Sequence, residues 1–264
     1  MNALTSLTSR LVIAHRGNAA HAPENTLESF AQAVALGVDA IEFDVHVTRD
    51  GVPVVIHDPT LARTTGRPET VASLTLAQLQ AANAGMMFSK DGGSTFPFRA
   101  QRLTIPTVAE VVTRFPDIPL LIEVKVREAA EPLARVLDDA GAIGRAVFGS
   151  MSLAAVRPFR ARGLPTSASS GEVVRLVAPA LLRRNVRGRL PYAALCIPRW
   201  YKGFPVPVAS IARLVRDVSV VTHVWTVDSP RVAKRLWNAG VQGIVTNDPA
   251  AMLRARTEVI GSPR

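Results

Sequence analysis

Two short apolar stretches carry charges where a packed sheet wants aliphatic side chains. In AIEFDV (40–45), Glu42 and Asp44 stand two residues apart, and in LLIEVKV (120–126) Glu123 and Lys125 do the same. Side chains two apart on a strand share a face, so each pair projects together. An acid or base among aliphatic neighbours is costly unless it is paired or binds a metal. LVIAH (11–15) ends in His15 and is followed by Arg16, and the run after Asp50-Gly51 ends in His57-Asp58. Three carboxylates with no cysteine nearby form a hard oxygen donor set, suited to one Mg2+ or Ca2+. Two histidines supply a base and an acid near neutral pH. Arg16 and Lys125 bring positive charge to a phosphate, Arg16 as a fork and Lys125 as a point charge. Together these types describe metal-assisted phosphoryl transfer to water. Each has a structural alternative when taken singly: Lys125 paired only with Glu123, or His15 hydrogen-bonded at a rim. Their joint placement on strand ends favours chemistry.

The elements that position them follow from periodicity. Short aliphatic runs at 11–15, 40–45, 120–126, 146–150, 165–169, 194–198, 220–227 and 243–246 alternate with amphipathic stretches. Helices are expected over 24–36, 129–140, 153–162, 210–218 and 230–239, and Gly37, Gly141, Gly163 and Gly240 stand where helices end. This alternation predicts an α/β protein, a closed (βα)8 TIM barrel whose active site lies at the C-terminal ends of its strands. No Gly-x-Gly-x-x-Gly follows the first run, which argues against a dinucleotide fold. The 264 residues are expected to form a single domain, with an inserted hairpin and loop segment after the second strand, about 46–106. Asp50-Gly51 predicts a two-residue turn. That turn would pair Arg49 with Val52 and set Asp44 opposite His57, with Ile41, Phe43 and Val45 on the apolar face.

Lys and Arg number 31 against 21 Asp and Glu, a formal net charge of +10. The excess favours anionic partners such as phosphate esters or anionic lipid. Apart from Arg183, Arg184, Arg187 and Arg189 the basic residues are scattered, without the footprint of nucleic-acid binding. Cys196 stands alone, so no internal disulfide or cysteine zinc site forms. MNALTSLTSR has no apolar signal core, and no run reaches the roughly 20 apolar residues of a membrane span. The expected compartment is the cytoplasm.

HRG (15–17), PENT (23–26), Glu42-Phe43-Asp44, His57-Asp58, Glu123-Val124-Lys125, VWTVD (224–228) and GVQGIVTNDP (240–249) resemble the glycerophosphodiester phosphodiesterase family, over about residues 11–250. The resemblance implies a (βα)8 barrel that hydrolyses a glycerophosphodiester to sn-glycerol 3-phosphate and an alcohol. It implies Glu42, Asp44 and Glu123 as ligands of one divalent cation, Ca2+ or Mg2+, His15 and His57 as the acid–base pair, and Arg16 and Lys125 as phosphate holders. Glu24 is carried as a further substrate residue. Trp225 is either an apolar wall over the glycerol or barrel core. His223 is expected in the core, and His21 and His46 take no role. Asn25 and Glu28 fit a helix capping box. Asn247 stands where the family pattern has Asp, and a local change only is expected, with Asp248 capping the final helix. Direct attack by water and attack by the substrate's own hydroxyl through a cyclic phosphate both remain open.

Three readings follow: an enzyme for small soluble glycerophosphodiesters, a lysophospholipase D-type enzyme, or a barrel that binds phosphodiesters or membrane without turnover. The complete set of histidines and carboxylates favours catalysis. Trp200, Tyr201 and Phe204 in IPRWYKGFPVPV (197–208) lie at the expected rim, as do Met86, Met87, Phe88, Phe96 and Phe98 of the insertion. They form either an exposed patch for an acyl chain or lipid surface, with the arginines at 183–189 attracting anionic headgroups, or a small lid of two segments packed on each other.

Overall fold

The structure, a computed structural model, describes residues 2–186 and 188–260, so Arg187 lies outside the described residues. In chain order the elements are β1 (Leu11–His15), α1 (Leu27–Ala35), β2 (Ala40–Val47), β3 (Pro53–Val55), α2 (Ala62–Thr65), α3 (Leu76–Gln80), α4 (Val108–Arg114), β4 (Leu120–Val124), α5 (Ala130–Asp139) and β5 (Ala146–Gly149). There follow α6 (Leu153–Ala161), α7 (Ser170–Leu181), β6 (Ala194–Pro198), β7 (Trp200–Tyr201), β8 (Phe204–Pro205), α8 (Val208–Arg216), β9 (Val221–Trp225), α9 (Pro230–Asn238), β10 (Gly243–Thr246) and α10 (Pro249–Ile260).

The parallel strands lie in the order β5-β4-β2-β1-β10-β9-β6. The remaining gap is spanned by residues 165–168, which the sequence marks as a strand and which makes only isolated bridges, Thr166 to Phe148 and Ser167 to Ala194. Ser167 N–H donates to Phe148 O at 2.8 Å and Ala168 N–H to Ala194 O at 2.9 Å. Pro165 has no N–H to give, so the stave is short, but it closes the parallel barrel. Each stave leads into a helix, α4 serving β2 after the insertion.

Strand parity sorts the barrel interior into layers. Ile13 pairs with Ala40 and His15 with Glu42 across β1–β2, and Asp44 pairs with Glu123 across β2–β4. Leu11, Ile13, Ala40, Leu121, Val147, Ala194, Val221 and Val245 fill the lower layers. The same inward parity, one step further along each strand, puts the polar residues on top. The intervening Ile41, Phe43, Val45, Leu120 and Ile122 face outward into the helix layer. Residues 2–10, featureless in sequence, plug the floor. Leu4 is fully buried within the lower layer, and His223 Nε2–H donates to Leu4 O at 2.9 Å.

Two local expectations shift by one residue. Val45 pairs with Val55 and His46 with Val54, so the β2–β3 register differs from that of a two-residue turn. Thr48 N–H donates to Val52 O, leaving Arg49, Asp50 and Gly51 as a three-residue loop. Gly51 takes φ 80°, as such loops require at their last position. Thr48 Oγ1 bonds Asp50 Oδ1 at 2.6 Å and Asp50 accepts from Leu76 N–H, which fixes that loop. Ile56 N–H, not His57, then meets Asp44 O. The second shift is at α1, whose N-cap is Thr26, its Oγ1 accepting from Ser29 N–H. Asn25 is not the cap: it sits at φ 57° with its side chain turned to Asp44.

The insertion builds its own small core from Val54, Ile56, Leu61, Val71, Leu74, Leu79 and Ile105. Phe88 and Phe98 pack edge to face, with centroids 5.3 Å apart. No helix among the described residues is long and apolar enough to cross a membrane.

Candidate active site

Glu42, Asp44 and Glu123 each offer a carboxylate oxygen within 4.8 Å of the others. Asp44 is fully buried at their centre and is held from several sides. Lys125 Nζ lies 2.8 Å from Asp44 Oδ1 and 2.8 Å from Glu123 Oε2, Arg16 Nε lies 3.0 Å from Asp44 Oδ2, and Asn25 Nδ2 donates to that same oxygen at 2.9 Å. Burial opposes the charge on Asp44, but Lys125 and Arg16 outweigh it and hold the carboxyl down at about 2. Glu42 goes the other way: burial first, then the neighbouring Asp44, push its carboxyl well above the usual range. A divalent cation would relieve that repulsion, and an all-oxygen donor set is what Mg2+ and Ca2+ take. The residues fit such an ion.

Arg16 is positioned by its backbone as well as by its ion pairs. It takes φ 55°, an uncommon conformation for a side chain of its size. Its carbonyl accepts from Asn25 N–H at 3.0 Å and from Ser29 Oγ at 3.0 Å. A side chain at Gly17 would lie 2.4 Å from Ser29 Oγ, so HRG packs against the first turn of α1 only because that position is glycine. Arg16 Nη1 donates to Glu24 at 2.9 Å. Arg63, from the insertion, donates to the same Glu24 at 2.7 and 2.8 Å.

The two histidines are oriented by different partners. His15 Nδ1–H donates to Asn247 Oδ1 at 2.7 Å. Asn247 presents that oxygen because its Nδ2 donates to Asp228 Oδ2 at 2.9 Å and its backbone N–H to Asp228 Oδ1 at 2.7 Å. His15 Nε2 is left facing the acids, 4.0 Å from Glu42. Burial, then the Arg16 charge, hold the His15 ring below its ordinary value. His57 Nδ1–H donates to Asp58 Oδ1 at 2.6 Å, Asp58 is bound in turn by Arg63, and His46 Nε2–H holds the His57 carbonyl at 3.1 Å. So His57 reaches the mouth because the chain turns after β3, not because it lies across from Asp44.

A cavity of about 550 Å3 opens over this group, and His15, Arg16, Glu42, His57, Glu123, Lys125 and Trp225 line it. Asp44 lies beneath, and Glu24 supports Arg16 without lining the cavity. His223 is fully buried below, in the core as expected. Sequence reasoning missed Asn25, Arg63, Asp228 and the role of Asn247. Beyond the place it holds in the motif, Asn247 orients a cavity histidine with its side chain. Asp248 does cap α10, accepting from Ala251 N–H. Arg63 and Asp228 reach the site only through tertiary contacts that no spacing announces. Asn247 carried a signal, as the one departure from an otherwise matching motif.

The chain matches the model of the glycerophosphoryl diester phosphodiesterase family over residues 15–251. It is 30% identical over 252 residues to a glycerophosphodiester phosphodiesterase of Caldanaerobacter subterraneus subsp. tengcongensis, covering 92% of this chain and 96% of the relative. Among solved structures it is similar to the glycerophosphoryl diester phosphodiesterase domain of an uncharacterized Mycobacterium tuberculosis protein, at TM-score 0.84 and 23% identity, covering 94% and 99% of the two chains. It is also similar to an Oleispira antarctica phosphodiesterase solved with the product sn-glycerol-3-phosphate, at TM-score 0.75 and 23% identity, covering 97% and 100%.

Proposed function

The chain belongs to the glycerophosphoryl diester phosphodiesterase family, and from that premise we propose that the site described above hydrolyses a glycerophosphodiester to sn-glycerol 3-phosphate and an alcohol. The observation that carries the proposal is the meeting, around one cavity, of two oriented histidines, two cations and a three-carboxylate cluster whose buried member, Asp44, lies just beneath it.

Arg16 and Lys125 attract the phosphodiester, and their ion pairs to Asp44, Glu24 and Glu123 hold both cationic groups in place before substrate arrives. Glu42, Asp44 and Glu123 would hold one divalent cation, Mg2+ or Ca2+. When bound, it supplies charge to polarise the phosphoryl group. His15 takes the proton from the attacking oxygen. Its ring is kept neutral by burial and by Arg16, and Asn247 fixes Nδ1 as the protonated nitrogen, leaving the Nε2 lone pair toward the cavity. His57, its Nδ1–H committed to Asp58, delivers a proton from Nε2 to the departing alcohol. Trp225 walls the cavity beside the glycerol. We place the protein in the cytoplasm, where the half-buried Cys196, with no second cysteine in the sequence to pair with, stays reduced.

Phosphorus NMR of glycerophosphocholine incubated with the protein and Mg2+ or Ca2+ tests the assignment. The expected result is replacement of the diester signal by that of sn-glycerol 3-phosphate. A diester signal unchanged with either ion would overturn it.

A further inference from the structure

We propose that Arg63 is a positioning residue for both halves of the reaction: its guanidinium ties the carboxylate that orients His57 to the carboxylate that holds Arg16. The inference rests on the hydrolytic reading above and adds to it a residue that stands outside the cavity. Arg63 Nε donates to Asp58 Oδ2 at 2.6 Å, while Nη1 and Nη2 donate to Glu24 Oε2 and Oε1 at 2.7 and 2.8 Å. Asp58 passes the constraint to His57 by accepting from Nδ1–H at 2.6 Å. Glu24 passes it to Arg16 by accepting from Nη1 at 2.9 Å. His57 and Arg16 line the cavity, whereas Arg63, Glu24 and Asp58 do not. These three form a brace behind its wall, joining the end of β1 to the insertion.

The local sequence explains why Arg63 is aimed there. It lies on α2, whose N-cap Leu61 is fully buried in the insertion's own core. Thr65 is buried too, its Oγ1 donating to Leu61 O at 2.9 Å. Gly66, at φ 76°, ends the helix by donating its N–H to Ala62 O. Leu61 and Thr65 are four apart and share the buried face, so Arg63, midway between them, is turned away from that core toward the mouth. Its side chain is 48% exposed. The bridge needs arginine. Nε and the two Nη groups point along two edges of one plane, so one carboxylate is met end-on and another from the side at a fixed separation. A lysine ammonium supplies the charge without that fork. Burial works against the charge on Glu24 and Asp58, and Arg63 leads the contacts that outweigh it and hold both carboxyls below the usual range. A half-exposed ion pair contributes little to stability. The cost of losing Arg63 therefore falls on geometry, where a displacement of about 1 Å can slow a reaction roughly a hundredfold.

The test compares native protein, Arg63→Gln and Arg63→Lys, with Mg2+ or Ca2+, on two diesters of sn-glycerol 3-phosphate, one with choline and one with p-nitrophenol. p-Nitrophenolate leaves without a proton, so its departure does not need His57 in place, while both substrates need Arg16. We expect Arg63→Gln to lower kcat on glycerophosphocholine roughly tenfold to a hundredfold and on the p-nitrophenyl diester by no more than about threefold, with KM raised for both. Arg63→Lys should behave like Arg63→Gln. Equal losses of kcat on the two diesters, or native kinetics in Arg63→Lys, would overturn the brace and spare the hydrolytic reading. If native protein turns over neither diester, the hydrolytic reading fails, and NMR of the histidine rings decides the brace alone. The His57 Cε1–H signal, assigned by its loss in His57→Ala, should move in both Arg63 variants as it does in Asp58→Asn, with the backbone amide spectrum otherwise native. A His57 signal unmoved in both Arg63 variants would remove the brace.

Discussion

Asn247 determines which nitrogen of His15 faces the cavity. Its amide oxygen can only accept, so it fixes the Nδ1–H tautomer, and Asp228 prevents the amide from flipping. Asn247→Ala should therefore lower kcat on the order of tenfold to a hundredfold with little change in thermal midpoint. His15→Ala should cost more, on the order of 10²–10⁴-fold. Steady-state kinetics of the two variants check this, and near-native kcat in Asn247→Ala would remove the residue from the mechanism. At this scale the sequence is most legible where residue type and strand parity coincide. Glu42, Asp44, Glu123, Lys125 and His15 could be placed on one rim because they share inward parity on staves whose other residues are aliphatic. Asn25 was misread because a capping pattern fits it as well as it fits a carboxylate clamp. Only its backbone, at φ 57°, decides that the side chain turns to Asp44 and leaves the cap to Thr26.

Gly243 shows how one element is built around another. A methyl at that position on β10 would lie 2.2 Å from His223 Nδ1 on neighbouring β9 and 2.9 Å from Ile13 Cδ1 on β1. The His223 ring cannot move aside easily, because it is fully buried and tied to Leu4. Gly243→Ala should thus cost about 1–3 kcal/mol by overpacking, measured by urea unfolding, and an unchanged midpoint would show that the barrel floor can relax. Elements with a clean period were legible: β6 and β10 match their runs residue for residue. Those without one were not. The stretch forming α7 is apolar on two faces and contains Pro179, so it shows no single 3.6-residue stripe. The hairpin register slipped because Asp50-Gly51 serves a three-residue loop as readily as a two-residue turn, and the deciding contacts, Asp50 to Thr48 and Leu76, lie partly outside the hairpin.

For the whole molecule, the barrel has a floor that resists charge and a mouth that gathers it. Burial holds His223 down at about 4 against an ordinary 6.5. The folded ring stays neutral while the unfolded chain takes up a proton below 6.5, so stability is level above that pH and falls as pH drops toward 4. The difference corresponds to about 3 kcal/mol. His223→Gln should lose this slope, and thermal midpoints of both proteins between pH 7 and pH 4 read it out; parallel curves would contradict it. At the mouth, the account depends on the carboxylate cluster and the histidines acting together on a phosphodiester. The most direct test is glycerol 3-phosphate release from glycerophosphocholine by protein stripped with EDTA, before and after adding Mg2+ or Ca2+, for the native chain, Glu123→Gln, His15→Ala and His57→Ala. The account predicts release by the native chain only once the ion is restored, and a loss of most activity in each variant under the same conditions. Undiminished release from stripped protein, or near-native release from either histidine variant, would contradict it.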